Sequence, residues 1–121
     1  MRLKVYAYKN CETCRRALKF LDRHGIAYDA VAIRDTPPTK KELKMMIAHM
    51  NGNTRKLFNT SGAEYAKLEL KDKLDDLSDA EVITLLSSNG NLVKRPFALY
   101  PDGGLLGFNE PVWREALIEG A

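Results

Sequence analysis

The stretch LKVYAYKNCETCRRALKFLDRHGIAYDAVAI, residues 3–33, decides the fold class. Leu3, Val5 and Ala7 alternate with Lys4, Tyr6 and Tyr8, the period of two that marks a strand with distinct faces. Lys9 and Asn10 make a turn, and Asn10 reads as the cap of the helix that follows. From Cys11 to about His24 the period becomes helical: Cys14, Ala17, Leu18 and Leu21 recur at spacings of three and four, and His24-Gly25 supplies the stop. Ile26 to Ile33 reads as a second, largely apolar strand. Strand, helix and strand within some 30 residues make a βαβ unit, whose right-handed crossover sets the two strands parallel.

Beyond it, Thr36-Pro37-Pro38-Thr39 is a hinge, and Thr39 with Glu42 carries the spacing of a capping box. That predicts a helix over about 40–50, burying Leu43, Met46, Ile47 and Met50 and ended by Asn51-Gly52-Asn53. Residues 54–74 read as short helices and turns with Leu57, Phe58, Tyr65, Leu68 and Leu70 inward. Ser78 or Asp79 caps a further helix whose apolar side is Val82, Ile83, Leu85 and Leu86, closed by Asn89-Gly90. Phe97–Tyr100 and Leu105–Phe108 read as hairpin strands around Pro101-Asp102-Gly103-Gly104. A last helix over about 110–119 has Pro111 in its first turn and buries Val112 and Leu117, with Trp113 a further candidate.

At 121 residues and 45% hydrophobic, the chain suits one domain with its own core. Its 19 Lys and Arg against 16 Asp and Glu leave a net charge of +3, interspersed and without a basic stripe, so no direct contact with nucleic acid is expected. No run nears the ~18 apolar residues of a membrane helix, and the start of the chain lacks the pattern of a signal peptide. The expectation is a soluble, cytoplasmic monomer, in a compartment where thiols stay reduced and two cysteines are not a structural staple.

Those two cysteines carry the chemistry. Cys11 stands where orphan backbone N–H groups and the positive end of a helix dipole converge, which favours the nucleophilic thiolate. Cys14, almost one helical turn on, faces the same side and is placed to close a disulfide with it. Lys9, Arg15 and Arg16 add positive charge and Glu12 offsets some of it. Two other readings compete: a pair of small buried residues without a redox task, and a zinc site, for which only His24 and His49 remain as partners at no ligand-like spacing. A second constellation is Leu92-Val93-Lys94-Arg95-Pro96-Phe97. A proline opening a strand beside a redox loop suits a cis peptide bond, and Arg95 would then stand by the thiols, stabilising a thiolate or binding an anion. The bland alternative is a solvated Lys-Arg pair before an edge strand. Asn10, Thr13, Arg15, Arg95 and Pro96 form the candidate substrate- or anion-binding set.

With both constellations in view, the chain resembles the arsenate reductase (ArsC)/Spx family of thioredoxin-like proteins over nearly its whole length. The resemblance rests on Cys11-Glu12-Thr13-Cys14-Arg15-Arg16-Ala17, Asn59-Thr60-Ser61-Gly62, Val93-Lys94-Arg95-Pro96 and Gly107-Phe108-Asn109-Glu110. It implies an α/β fold: a thioredoxin-like, glutaredoxin-type mixed four-stranded sheet, with 1–33 and 92–121 as core and about 37–90 as a helical insert. It further implies Cys11 as nucleophile, Cys14 as resolving thiol, Arg95 before a cis Pro96, and no bound cofactor. The reductant would be glutathione with glutaredoxin, or thioredoxin.

The chain departs from glutathione-linked arsenate reductases of the family, which hold the oxyanion with three arginines. Near Asn59-Thr60-Ser61 there is no arginine, Arg55 being the nearest, and Phe108 occupies the place after Gly107. An oxyanion gripped by Arg95 alone would be weakly bound. The two cysteines match the Spx branch, in which such a pair is a redox switch on a regulator that binds the C-terminal domain of the RNA polymerase α subunit; the contact would lie near Met50-Asn51-Gly52. Two functions therefore follow, a thiol–disulfide oxidoreductase and, as the alternative, a redox-switched regulator.

Overall fold

A computed structural model describes residues 2–120. Strand β1 (Leu3–Ala7) leads into helix α1 (Glu12–Arg23), and β2 (Tyr28–Ala32) returns parallel to β1, with Leu3 opposite Tyr28 and Ala7 opposite Ala32. Strands β3 (Phe97–Tyr100) and β4 (Gly103–Leu106) are antiparallel additions, giving a mixed four-stranded sheet in the order β2-β1-β3-β4. This is the thioredoxin-like arrangement expected from the sequence. Between β2 and β3 run α2 (Lys40–His49), α3 (Ala63–Lys67), α4 (Asp79–Ser88) and several short 3-10 turns; α5 (Glu110–Arg114) follows β4 and continues into a π-helical turn at Glu115–Glu119.

Both faces of the sheet are covered, so the alternation in β1 separates two apolar layers. Leu3, Val5 and Ala7 pack with Ala17, Phe20 and Leu21 of α1 and with Trp113 and Leu117. Tyr6 points to the other layer, among Leu43, Met46, Val82, Leu86 and Phe97. Its ring is buried because its hydroxyl has a partner, donating to Glu42 Oε1 at 2.5 Å. Glu42 also completes the capping box with Thr39 and accepts from Lys4 Nζ at 3.0 Å. Ser78 and Glu81 form a second capping box at the start of α4. β2 is an edge strand whose residues are at most half-buried, although the sequence there is apolar.

Three expectations are corrected. The hairpin loop is Pro101-Asp102 alone, since Tyr100 pairs with Gly103; Gly103 and Gly104 belong to β4, and Phe108 lies beyond it. Gly104 is there for packing: a Cβ on it would come within 2.6 Å of Met46 Sδ, where α2 crosses the strand. Leu68 is 38% and Val112 50% exposed, whereas Trp113 is buried, with its indole N–H donating to the Gly107 carbonyl at 3.0 Å. Asn109 caps α5 by accepting from the Val112 N–H, and the rotation that this sets turns Trp113 inward and Val112 out.

Candidate active site

The redox loop lies at the C-terminal end of β1, where the chain turns into α1. The helix cap is Cys11 and not Asn10: Cys11 has extended backbone angles, and its sulfur accepts the Cys14 N–H at 3.4 Å. Asn10 instead donates from Nδ2 to the Tyr8 hydroxyl at 3.1 Å. A sulfur in the cap position receives an orphan helix N–H directly, which is a stronger bias toward thiolate than proximity to the dipole alone.

The two thiols are free and unlike each other. Cys14 is 1% exposed, packed in the α1 layer of the core, while Cys11 is half-buried. Burial pushes the Cys11 thiol up, but the Cys14 N–H, the Cys14 thiol and the Arg95 guanidinium outweigh it and bring it below its ordinary value. Burial pushes Cys14 up to about 12, with the neighbouring Cys11 adding to the rise. One sulfur is thus set to attack and the other held in reserve as a thiol.

Arg95 precedes Pro96 through a cis bond, and the Pro96 carbonyl accepts the Gly107 N–H at 2.9 Å. Its guanidinium carbon lies 5.0 Å from the centroid of the Tyr8 ring. Arg34, in the loop after β2, places its own guanidinium 4.7 Å from the same centroid and donates from Nη1 to the Tyr8 hydroxyl at 2.8 Å. The Tyr8 phenol is held below its usual value, chiefly by the Asn10 amide, with Arg34 and Arg95 adding to the effect against burial. A cleft of about 680 Å³ opens here, lined by Tyr8, Lys9, Arg34, Asp35 and Asn91.

The other candidates of the loop have different tasks. Arg15 donates to the Lys9 carbonyl at 3.1 Å and to Glu12 Oε2 at 3.0 Å, bracing the loop. Thr13 is half-buried between the cysteines in sequence. Arg16 lies over the Phe108 ring at 5.8 Å, and Phe108 packs against Phe20 and Trp113. Arg55 pairs with Asp75 at 3.1 Å and lines a separate groove, of about 590 Å³, along the β4 edge. Among the described residues no three His, Cys, Asp or Glu side chains gather to hold a metal ion, so the zinc reading finds no ligand set.

Sequence reasoning missed Tyr8 and Arg34. The signal was there in the parallel pairing: with Ala7 opposite Ala32, the residues that follow each strand end meet above the sheet.

The ArsC family model matches residues 6–116, and with them the redox loop, the segment around Arg95 and all of α5. The chain belongs to the ArsC family. Within it, this chain is 40% identical to an uncharacterized protein of Bacillus subtilis, YusI, over 95% of its own length and 98% of that protein's. It is 30% identical to the global transcriptional regulator Spx of Streptococcus mutans, covering 88% of this chain and 76% of the regulator. The crystal structure of a possible arsenate reductase from the same species superposes with a TM-score of 0.83 at 39% identity, covering 88% of this chain and 91% of that one. ArsC-family relatives of this chain therefore include both reductase-like and regulatory proteins. Among its described residues, no helix is long and apolar enough to cross a membrane.

Proposed function

We propose that this chain is a thiol–disulfide oxidoreductase in which Cys11 attacks and Cys14 resolves. The observation that carries the reading is the asymmetry of the pair, a cap thiol favoured as thiolate above a buried thiol pushed up to about 12. The Cys11 thiolate attacks one sulfur of a substrate disulfide, forming a mixed disulfide and expelling the other half as thiolate. Cys14 then attacks Cys11 Sγ, its proton passing to the departing thiolate of the second half, which leaves as a thiol as the Cys11–Cys14 bond closes. The two electrons that reduce the substrate come from the cysteine pair, and a thiol reductant, glutathione with glutaredoxin or thioredoxin, restores it.

Arsenate is the weaker substrate in this reading. Arg95 and Arg34 are both engaged with Tyr8, Arg55 is held by Asp75, and an aromatic ring stands at Phe108. A tetrahedral dianion needs several free charged donors, and this site offers few.

The decisive experiment supplies glutathione and glutaredoxin, or thioredoxin, and compares turnover of a model disulfide with that of arsenate. Disulfide turnover that Cys11→Ser abolishes, with a mixed disulfide trapped on Cys11 in Cys14→Ser, is expected. Faster arsenate than disulfide turnover, or no trapped species, would overturn the reading.

The 30% identity to Spx favours a second reading, a redox-switched regulator that binds the RNA polymerase α subunit. The exposed turn at Asn51 and Gly52, after α2, would be the contact. Capture of the α C-terminal domain in one redox state only would select it; no capture in either state removes it.

A further inference from the structure

The chemistry of two thiols and one arginine leaves Tyr8 without a task, yet four elements converge on it. Tyr8 follows β1, Asn10 precedes α1, Arg34 follows β2 and Arg95 precedes β3. The phenol oxygen accepts from Arg34 Nη1 at 2.8 Å and from Asn10 Nδ2 at 3.1 Å. The ring has both guanidinium carbons near its centroid, at 4.7 Å for Arg34 and 5.0 Å for Arg95. The negative face of an aromatic ring attracts a cation, and here one ring serves both guanidiniums.

We propose that Tyr8 is a positioning residue of the redox site: its ring holds the Arg95 guanidinium beside Cys11, while its hydroxyl ties Arg34 and Asn10 into the same clamp. The proposal rests on the thiol–disulfide reading. An arginine without such a seat spreads over many rotamers, and its charge then acts on the thiol only part of the time. The other charged groups near the clamp are Lys9 and Asp35, which share its cleft, and the Glu12–Arg15 pair on α1. Cys14, beneath Cys11, is the remaining titratable neighbour and is kept as the thiol by burial.

The test is a double-mutant cycle on the full chain, read as the pH profile of Cys11 alkylation. Tyr8→Leu and Arg95→Met are each expected to move the inflection upward. At neutral pH each slows alkylation, by about tenfold where the inflection rises by one pH unit. The double variant should move it no further than Arg95→Met alone, because the tyrosine acts through the arginine. A residue that merely supports the fold would not show that dependence. Tyr8→Phe keeps the ring and loses the acceptor, so it should shift the profile partway in the native chain and not at all beside Arg95→Met. If Tyr8→Leu does not fold, the Phe pair carries the same cycle. A Tyr8→Leu profile that matches the native one, or shifts that add in full, would overturn the clamp alone. A native Cys11 that titrates like a free thiol would overturn the disulfide reading, and the clamp with it.

Discussion

The Tyr6 hydroxyl donates to Glu42 Oε1 at 2.5 Å and so ties the centre of β1 to the first turn of α2. The same carboxylate takes the Thr39 N–H at 2.9 Å and Lys4 Nζ at 3.0 Å. Burial alone would push Glu42 up, but the bonds from Tyr6, Thr39 and Lys4 outweigh it and hold the carboxyl below its ordinary 4.5. A carboxylate with a depressed folded value contributes stability above its unfolded value and loses it as pH falls through the folded one. Glu42→Gln should therefore cost about 1–3 kcal/mol at neutral pH. The gap to the native chain, read from urea unfolding, should shrink below the ordinary carboxylate range.

Cys14 gives the opposite dependence. Burial pushes it up to about 12 from an ordinary 9.0, so the unfolded chain ionises first on the alkaline side. Its contribution is fully present below pH 9.0 and declines as pH rises toward about 12. Cys14→Ala should show a shallower alkaline loss of stability than the native chain under reducing conditions. Parallel alkaline limbs would show that Cys14 ionises without unfolding.

Charge around Cys11 should be visible in its choice of reagent. Arg95 and Arg34 flank Tyr8, and Lys9 lines the cleft with Tyr8 and Arg34. A positive field raises the local concentration of anions and is screened by salt. Iodoacetate should gain on neutral iodoacetamide relative to the ratio for a free thiol, and the gain should fade as ionic strength rises. A ratio indifferent to salt would place the cations out of range of the sulfur.

Gly90 closes the turn after α4 against the end of β2. A Cβ there would lie 1.9 Å from the Ile33 carbonyl oxygen, and its nearest neighbours, all Ile33-Arg34 backbone, leave nothing flexible to move. Gly90→Ala is expected to cost about 3 kcal/mol. Thermal unfolding would register this as a clear fall in Tm, and an unchanged Tm would mean that the turn relaxes freely.

Much of the fold is legible in local patterns, because the deciding signals are local. The βαβ unit follows from period changes between Leu3 and Ile33, the first capping box from Thr39 three residues ahead of Glu42, and the start of α4 to within a residue from Ser78-Asp79. The misreadings share a cause. The pattern misplaces β4 because Gly104 answers to Met46, a residue far away in sequence. It sends Val112 inward because a short helix has little periodicity, and the Asn109 cap decides its rotation. At the site, the cysteine spacing announces the chemistry, while the capping role of Cys11 depends on backbone angles. Arg34 stays hidden because it reaches Tyr8 only through the register of two parallel strands.

Cys14 is packed among Ala17, Phe20 and Trp113, in the layer that holds α1 on the sheet. A covalent link from that sulfur to Cys11 would fasten an accessible loop to the interior of the molecule. The electron count of the pair would then be felt as stiffness well beyond the loop, wherever the aromatic packing beneath it extends.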